Sequence, residues 1–114
     1  MKFALLIHET KDQMAKRNGP QAPAYWAAWS AFSEAVAKAG VMTGGAGLEP
    51  PSRATTLRVH NGAHRVEDGP YADSKELFGG FFVVDVPDHA AAMEWARRIP
   101  VENGSVEVRP VMQM

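Results

Sequence analysis

Both halves of this chain open the same way, with an apolar run of strand length that feeds a helical segment. That repetition limits the available folds more than any other feature. In the first half, Lys2 to His8 is aliphatic and aromatic with little polar alternation, the pattern of a strand buried on both faces. From Ala22 the period changes. Tyr25, Trp29, Phe32, Val36 and Ala39 follow at steps of four and three along one helix face, and Gly40 supplies the C-terminal stop. In the second half, Leu77 to Val86 reads as a long strand in which Gly79-Gly80 marks a bulge or a close backbone approach. Asp88 is placed to cap the next helix, Ala90 to Arg98 are mostly helix formers, and Pro100 enforces the end. Val106 to Met112 closes the chain as a last strand.

The connecting segments fill in the order. Thr10 to Gly19 is polar, has no apolar period and runs into Asn18-Gly19-Pro20, so it is expected to be a mobile loop. Val41 to Pro51, with three glycines and two prolines, holds at most a short strand and then a loop. Thr55 to His60 and Ala63 to Glu67 flank Asn61-Gly62, whose tolerance of positive φ predicts a hairpin with a type I′ turn. Strand, helix, short strand and hairpin, strand, helix, strand is an α+β order. It matches a ferredoxin-like, split βαβ sheet with two helices on one face. The other face would expose aliphatic and aromatic side chains, some of Phe78, Phe81 and Phe82 among them, which implies a second subunit packed against it as a homodimer.

Composition narrows the function classes. The 114 residues suit one domain spanning 1–114, and 46% apolar with 22% charged residues can build a core. Twelve Lys plus Arg against 13 Asp plus Glu leaves no basic excess for a nucleic-acid partner. The absence of cysteine removes disulfides, thiolate catalysis and Cys-based metal sites. The apolar run Phe3 to Ile7 is far too short for a membrane span, so no membrane partner and a cytoplasmic location are expected.

At Asp68-Gly69-Pro70-Tyr71-Ala72-Asp73-Ser74-Lys75-Glu76 the sequence becomes specific. It resembles the YCII-related family, in particular the branch with an Asp-Gly-Pro-Phe motif. The resemblance extends through Gly44-Gly45-Ala46-Gly47-Leu48, Ala54 to Arg58, Gly79-Gly80-Phe81, Ala96 to Pro100 and Val106 to Pro110. Two positions depart from the motif, with Tyr71 in place of Phe and Asp73 in place of Glu. The resemblance implies a dimeric α/β barrel built from two ferredoxin-like units. Some members of the wider family look like enzymes using a His and Asp pair, the His following a Pro-Ala step early in the first helix; here Tyr25 follows Pro23-Ala24. Some members of the branch are encoded beside alternative sigma factors, which implies a regulatory association.

The residues themselves offer two sets of chemistry. His8 ends the first strand on the face opposite Phe3, Leu5 and Ile7, where it is a candidate general base. Asp68 and Glu76 are candidate orienting or proton-relaying carboxylates, Lys75 an anion anchor, Tyr71 a hydrogen-bond donor and Gly79 a point of close backbone approach to a ligand. Each has a plainer alternative: a packing histidine, a turn at Asp68-Gly69-Pro70, a solvated ion pair. His60 and His64 fall on opposite faces of the hairpin and cannot share a metal ion. Trp26, Trp29 and Trp95 occupy helix positions suited to packing, and Arg109 is placed for a structural salt bridge with Glu107 or Glu76, the alternative being contact with a ligand's carboxylate. The expected function is therefore small-molecule binding, extended to cofactor-free proton-transfer or elimination chemistry on an organic acid or aromatic. The rival is a non-catalytic dimeric interaction module associated with a sigma-factor regulator.

Overall fold

The computed structural model describes residues 1–114. Nine-residue β1 (Lys2–Thr10) lies at the centre of a four-stranded sheet in the order β2 (Met42–Gly47), β5 (Glu76–Asp85), β1, β6 (Gly104–Pro110). Every neighbouring pair is antiparallel. This is the order that the split βαβ reading requires. Along β1, Phe3, Leu5, Ile7 and Glu9 are buried while Ala4, Leu6 and His8 are only half-buried. The strand is therefore covered on one face, not two, because both long helices pack on the same side.

Those helices are α2 (Ala22–Lys38) and α3 (His89–Arg98). Phe32 and Val36 from α2, with Ala92, Ala96 and Ile99 from the α3 region, close on Phe3, Leu5, Ile7, Val84 and Val86 to form the core. Gly40 follows α2 at φ 72°, the left-handed conformation that ends a helix readily only at glycine. Asp88 caps α3 by accepting from the Ala91 N–H at 2.9 Å. Ala39, placed by periodicity on the buried face of α2, is instead exposed at the cap.

The segment expected to be a mobile loop contains α1 (Lys11–Ala15), started by Thr10, whose hydroxyl accepts from the Gln13 N–H. Five residues carry too few turns to show a period, and Met14 is the single apolar anchor that buries. No helix is long and apolar enough to cross a membrane.

Strands β3 (Thr55–His60) and β4 (Ala63–Asp68) form a separate two-stranded hairpin. Its turn residues Asn61 and Gly62 sit at φ 49° and 80°, as the Asn-Gly pair predicts. Register pairs Val59 with His64 and His60 with Ala63, so the two imidazoles project to opposite faces. The molecule is a slab about 18 Å thick between α-carbons, one sheet plus one helix layer. The far sheet face carries Leu6, His8, Phe78 and Phe81, paired across β1 and β5, and no element of this chain covers it. Phe82 belongs to the helix face, where its ring meets Phe32 and Trp29.

Candidate functional site

Glu9 is the fourth member of the inward row Phe3, Leu5, Ile7, and it is only 1% exposed. A carboxylate at that depth is costly unless its oxygens are partnered. Tyr25, in the first turns of α2, donates its phenolic hydrogen to Glu9 Oε2 at 2.7 Å. Arg17, just after α1, approaches Glu9 Oε1 at 3.5 Å. The same guanidinium donates to the Leu48 carbonyl at 2.6 Å and the Gly79 carbonyl at 3.2 Å. One side chain therefore joins β1, the end of β2 and β5.

Local sequence makes the room for this group. Register between β1 and β5 skips Gly79, which is the extra residue of a bulge between Ile7 and His8. A Cβ at Gly79 would lie 2.9 Å from Glu9 Oε1 and 3.1 Å from Arg17 Nη2. The space beside this glycine is thus filled by the ion pair, where sequence reasoning assigned it to an approaching ligand. Gly45 and Gly80 allow the neighbouring crossing of β2 and β5, since a Cβ on either would meet a backbone carbonyl within 2.8 Å.

Above Glu9, Arg17 and Tyr25 lies a cleft of about 590 Å³, walled by Trp26, Trp29, Phe82 and the backbone at Gly79-Gly80 and Ala46-Gly47. The volume is that of a small-molecule site. Trp26 is half exposed, its indole N–H donating to the Arg17 carbonyl at 3.0 Å, and Tyr25 meets its ring edge-on. Of the three tryptophans assigned to packing, Trp29 and Trp26 therefore also form cleft walls. Burial pushes the Tyr25 phenol above its ordinary value, a rise that the Arg17 side chain opposes and the Glu9 carboxylate adds to. At neutral pH Tyr25 is accordingly a proton donor, and the hydrogen bond it makes is to Glu9.

The residues singled out from sequence fall in four places. His8, Glu76 and Tyr71 line one broad depression of about 880 Å³ on the uncovered sheet face. His8 lies beside the Phe78 ring at 5.3 Å between centroids, and Glu76 accepts from the Ser105 hydroxyl. No hydrogen bond joins His8, Glu76 and Tyr71 to one another. Tyr71 is 79% exposed, with the Arg58 guanidinium 5.8 Å from its ring centre. Asp68 lines neither cavity and pairs with Thr55 at the base of the hairpin. Lys75 sits in a shallow crevice with Lys11, Asp12 and Asp73. Gly79 borders the first cleft, on the helix side. Arg109 forms its salt bridge with Glu107. No three His, Asp or Glu side chains come together as a metal-binding group.

Sequence reasoning passed over Glu9 and Arg17. The signal available for Glu9 was its parity: it continues the odd-numbered apolar row of β1, where a charge demands partners. Arg17 carried none, because its contacts depend on α1 turning the chain back over β5.

Comparison with known proteins agrees with the motifs. The protein "Uncharacterized protein R00369" of Rhizobium meliloti (strain 1021) is 38% identical over 85 residues, covering 72% of this chain and 68% of that protein. The model of the YCII-related domain matches residues 1–114. With its motifs, its sheet order and a match along its whole length, the chain belongs to the YCII-related domain family.

Proposed function

We propose that this protein binds a small organic molecule in the cleft between α2 and the β2–β5 edge, and moves a proton there without a cofactor. The observation that carries the reading is the Tyr25–Glu9 hydrogen bond, 2.7 Å long, on a carboxylate that is almost completely buried beside a cleft of ligand size. In the step proposed, a ligand C–H or O–H proton passes to the Tyr25 oxygen as the phenolic proton passes to Glu9, leaving Glu9 protonated and the ligand an enolate or alkoxide. Return of a proton by the same path completes an isomerisation or an exchange, and no electrons are gained or lost. Tyr25 stands after Pro23-Ala24 where the resemblance implies a His in some relatives, so the chemistry proposed here is not the His-based chemistry of those relatives and rests on the Tyr25–Glu9 pair alone.

The test is hydrogen–deuterium exchange into enolisable ketones in D2O, followed by NMR. Wild type is expected to accelerate exchange, while Glu9→Gln and Tyr25→Phe, both checked for folding by circular dichroism, lose the acceleration. Equal exchange by all three proteins would overturn the proton-transfer role.

A second reading is favoured by the broad depression on the uncovered sheet face that His8, Glu76 and Tyr71 all line. In it a second copy of the chain packs on that face, closing the depression into a chamber in which His8 is the base. Asp68 and Lys75 have no direct part in this version. Loss of ketone exchange in His8→Gln, with Glu9→Gln unaffected, would favour it over the first.

A further inference from the structure

Resting on the proposed cleft, we infer that its ligand is an uncharged, flat aromatic carbonyl compound, not an organic acid or an amine. The first argument is charge. Within the cleft floor the only formal charges are Glu9 and Arg17, and each is consumed by the other. Both terminal nitrogens of Arg17 are committed to backbone carbonyls, at Leu48 and Gly79. Both Glu9 oxygens are likewise committed, to Tyr25 and Arg17. Glu49 at the rim lies 3.8 Å from Arg53. The floor is thus already neutral: the Arg17 charge is balanced by Glu9, with Nε the one donor of that guanidinium left without a partner, and the Glu9 charge is balanced in turn. A carboxylate, phosphate or ammonium seated on it would bring an unbalanced charge out of water, whereas an uncharged acceptor would not.

Shape is the second argument. Trp29 and Phe82 lie with ring planes only 9° apart, and Trp26 and Tyr25 continue the aromatic wall. Backbone at Gly79-Gly80 and Ala46-Gly47, on the strand of Phe82 and its neighbour, leaves that part of the sheet floor without bulky side chains. Flat faces of this kind favour a planar ring over a branched aliphatic molecule.

The third argument is an unmet hydrogen bond. The Trp29 indole N–H is buried and has no acceptor in the chain, and the same is true of Arg17 Nε. Both residues line the cleft, and both orphan groups are donors. Buried donors without partners are uncommon in folded proteins. An oxygen acceptor on the ligand, a ketone or aldehyde carbonyl, would supply what is lacking, and it would also place an acidic α-hydrogen within the same cleft as Tyr25.

Four probes on one skeleton separate the possibilities: 2-acetylnaphthalene, 2-ethylnaphthalene, 2-naphthoate and 2-naphthylmethylammonium. Binding to the full chain is followed through the indole N–H resonances in 1H–15N NMR spectra, with Trp95, which is not a cleft residue, as internal control. The ketone is expected to bind at least tenfold more tightly than either ion and to shift the Trp29 signal. Its advantage over the ethyl compound should fall several-fold in Trp29→Phe, which keeps a ring but removes the donor. If the naphthoate or the ammonium binds in the cleft as tightly as the ketone, the inference fails while the cleft remains a binding site. If none of the four shifts Trp26 or Trp29, both the inference and the cleft reading fail.

Discussion

The Tyr25 hydroxyl and Glu9 Oε2, sixteen positions apart in sequence, are joined by a 2.7 Å hydrogen bond that ties α2 to the central strand of the sheet. Their partnership explains how a carboxylate can end the apolar row of β1, and Arg17 completes it from a third segment. The trio is at once a structural tie and the most chemically capable group in the molecule.

Removing the phenol leaves a buried carboxylate oxygen without its donor. Tyr25→Phe should therefore cost about 1–3 kcal/mol in urea unfolding at pH 7. The pH dependence has a definite sign. Because burial raises the folded phenol above the ordinary value of 10.0, its contribution is fully present below that value and is lost as pH rises through the folded one. The stability gap between wild type and variant should narrow above about pH 10. A gap that widens there would show that Tyr25 is not held protonated by the fold.

Gly79→Ala probes the same group from the other side. The added methyl meets the ends of Glu9, Arg17 and Met14 within 3.3 Å and no backbone, so the side chains must yield. The expected cost is about 1–3 kcal/mol. In an Arg17→Ala background, where the space is vacated, the cost should fall by at least half, a coupling that a double-mutant cycle measures directly. An unchanged cost would mean that strain in the bulge, not the ion pair, sets the need for glycine.

Much of this architecture is legible in the sequence because it rests on local rules. Asn61-Gly62 fixes a turn by φ alone, Asp88 fixes a helix start by one hydrogen bond, and the steps from Tyr25 to Val36 fix a buried face. Long-range consequences are less visible. The uniform apolar look of Lys2 to His8 concealed a strand with one covered face, since hydropathy cannot say on which side the helices settle. Helix α1 was too short for a period to register. Candidate residues near the Asp68–Glu76 motif were grouped by closeness in sequence, yet the turn at Gly69 and the start of β5 send Asp68, Tyr71 and Lys75 to different surfaces. Glu9 and Arg17 meet only because α1 folds back, a contact that neither composition nor spacing encodes.

The uncovered sheet face leads to a prediction about assembly. Leu6, Phe78 and Phe81 lie there with His8, and Phe78 is 41% exposed. Exposed apolar surface of this extent is stabilised when a second copy covers it. Sedimentation at micromolar concentration should give about twice the chain mass, and Phe78→Lys should shift the protein to monomer with its helix content retained. A monomeric wild type would end the face-to-face argument and with it the chamber built around His8.

The last prediction concerns how the hairpin holds the motif segment. Arg58 on β3 pairs with Glu67 on β4 at 2.8 Å and also donates to the Tyr71 carbonyl at 3.0 Å, so one guanidinium spans the hairpin and the residues after it. The Arg58 side chain holds the Glu67 carboxyl below its ordinary value, outweighing the opposing effect of desolvation, with Arg65 adding to the same trend. A depressed carboxyl contributes order that is fully present above its ordinary value of 4.5 and is lost as pH falls through the lower, folded one. NMR signals of Tyr71 and Gly69 should therefore shift toward random-coil positions in acid before the α2–β1 core unfolds. Arg58→Gln should show them already displaced at pH 7 and without the acid step. If the signals of wild type stay fixed until global unfolding, the segment is held without Arg58 by the two bonds at Gly69, from its N–H to the Ala54 carbonyl and from the Thr56 hydroxyl to its carbonyl.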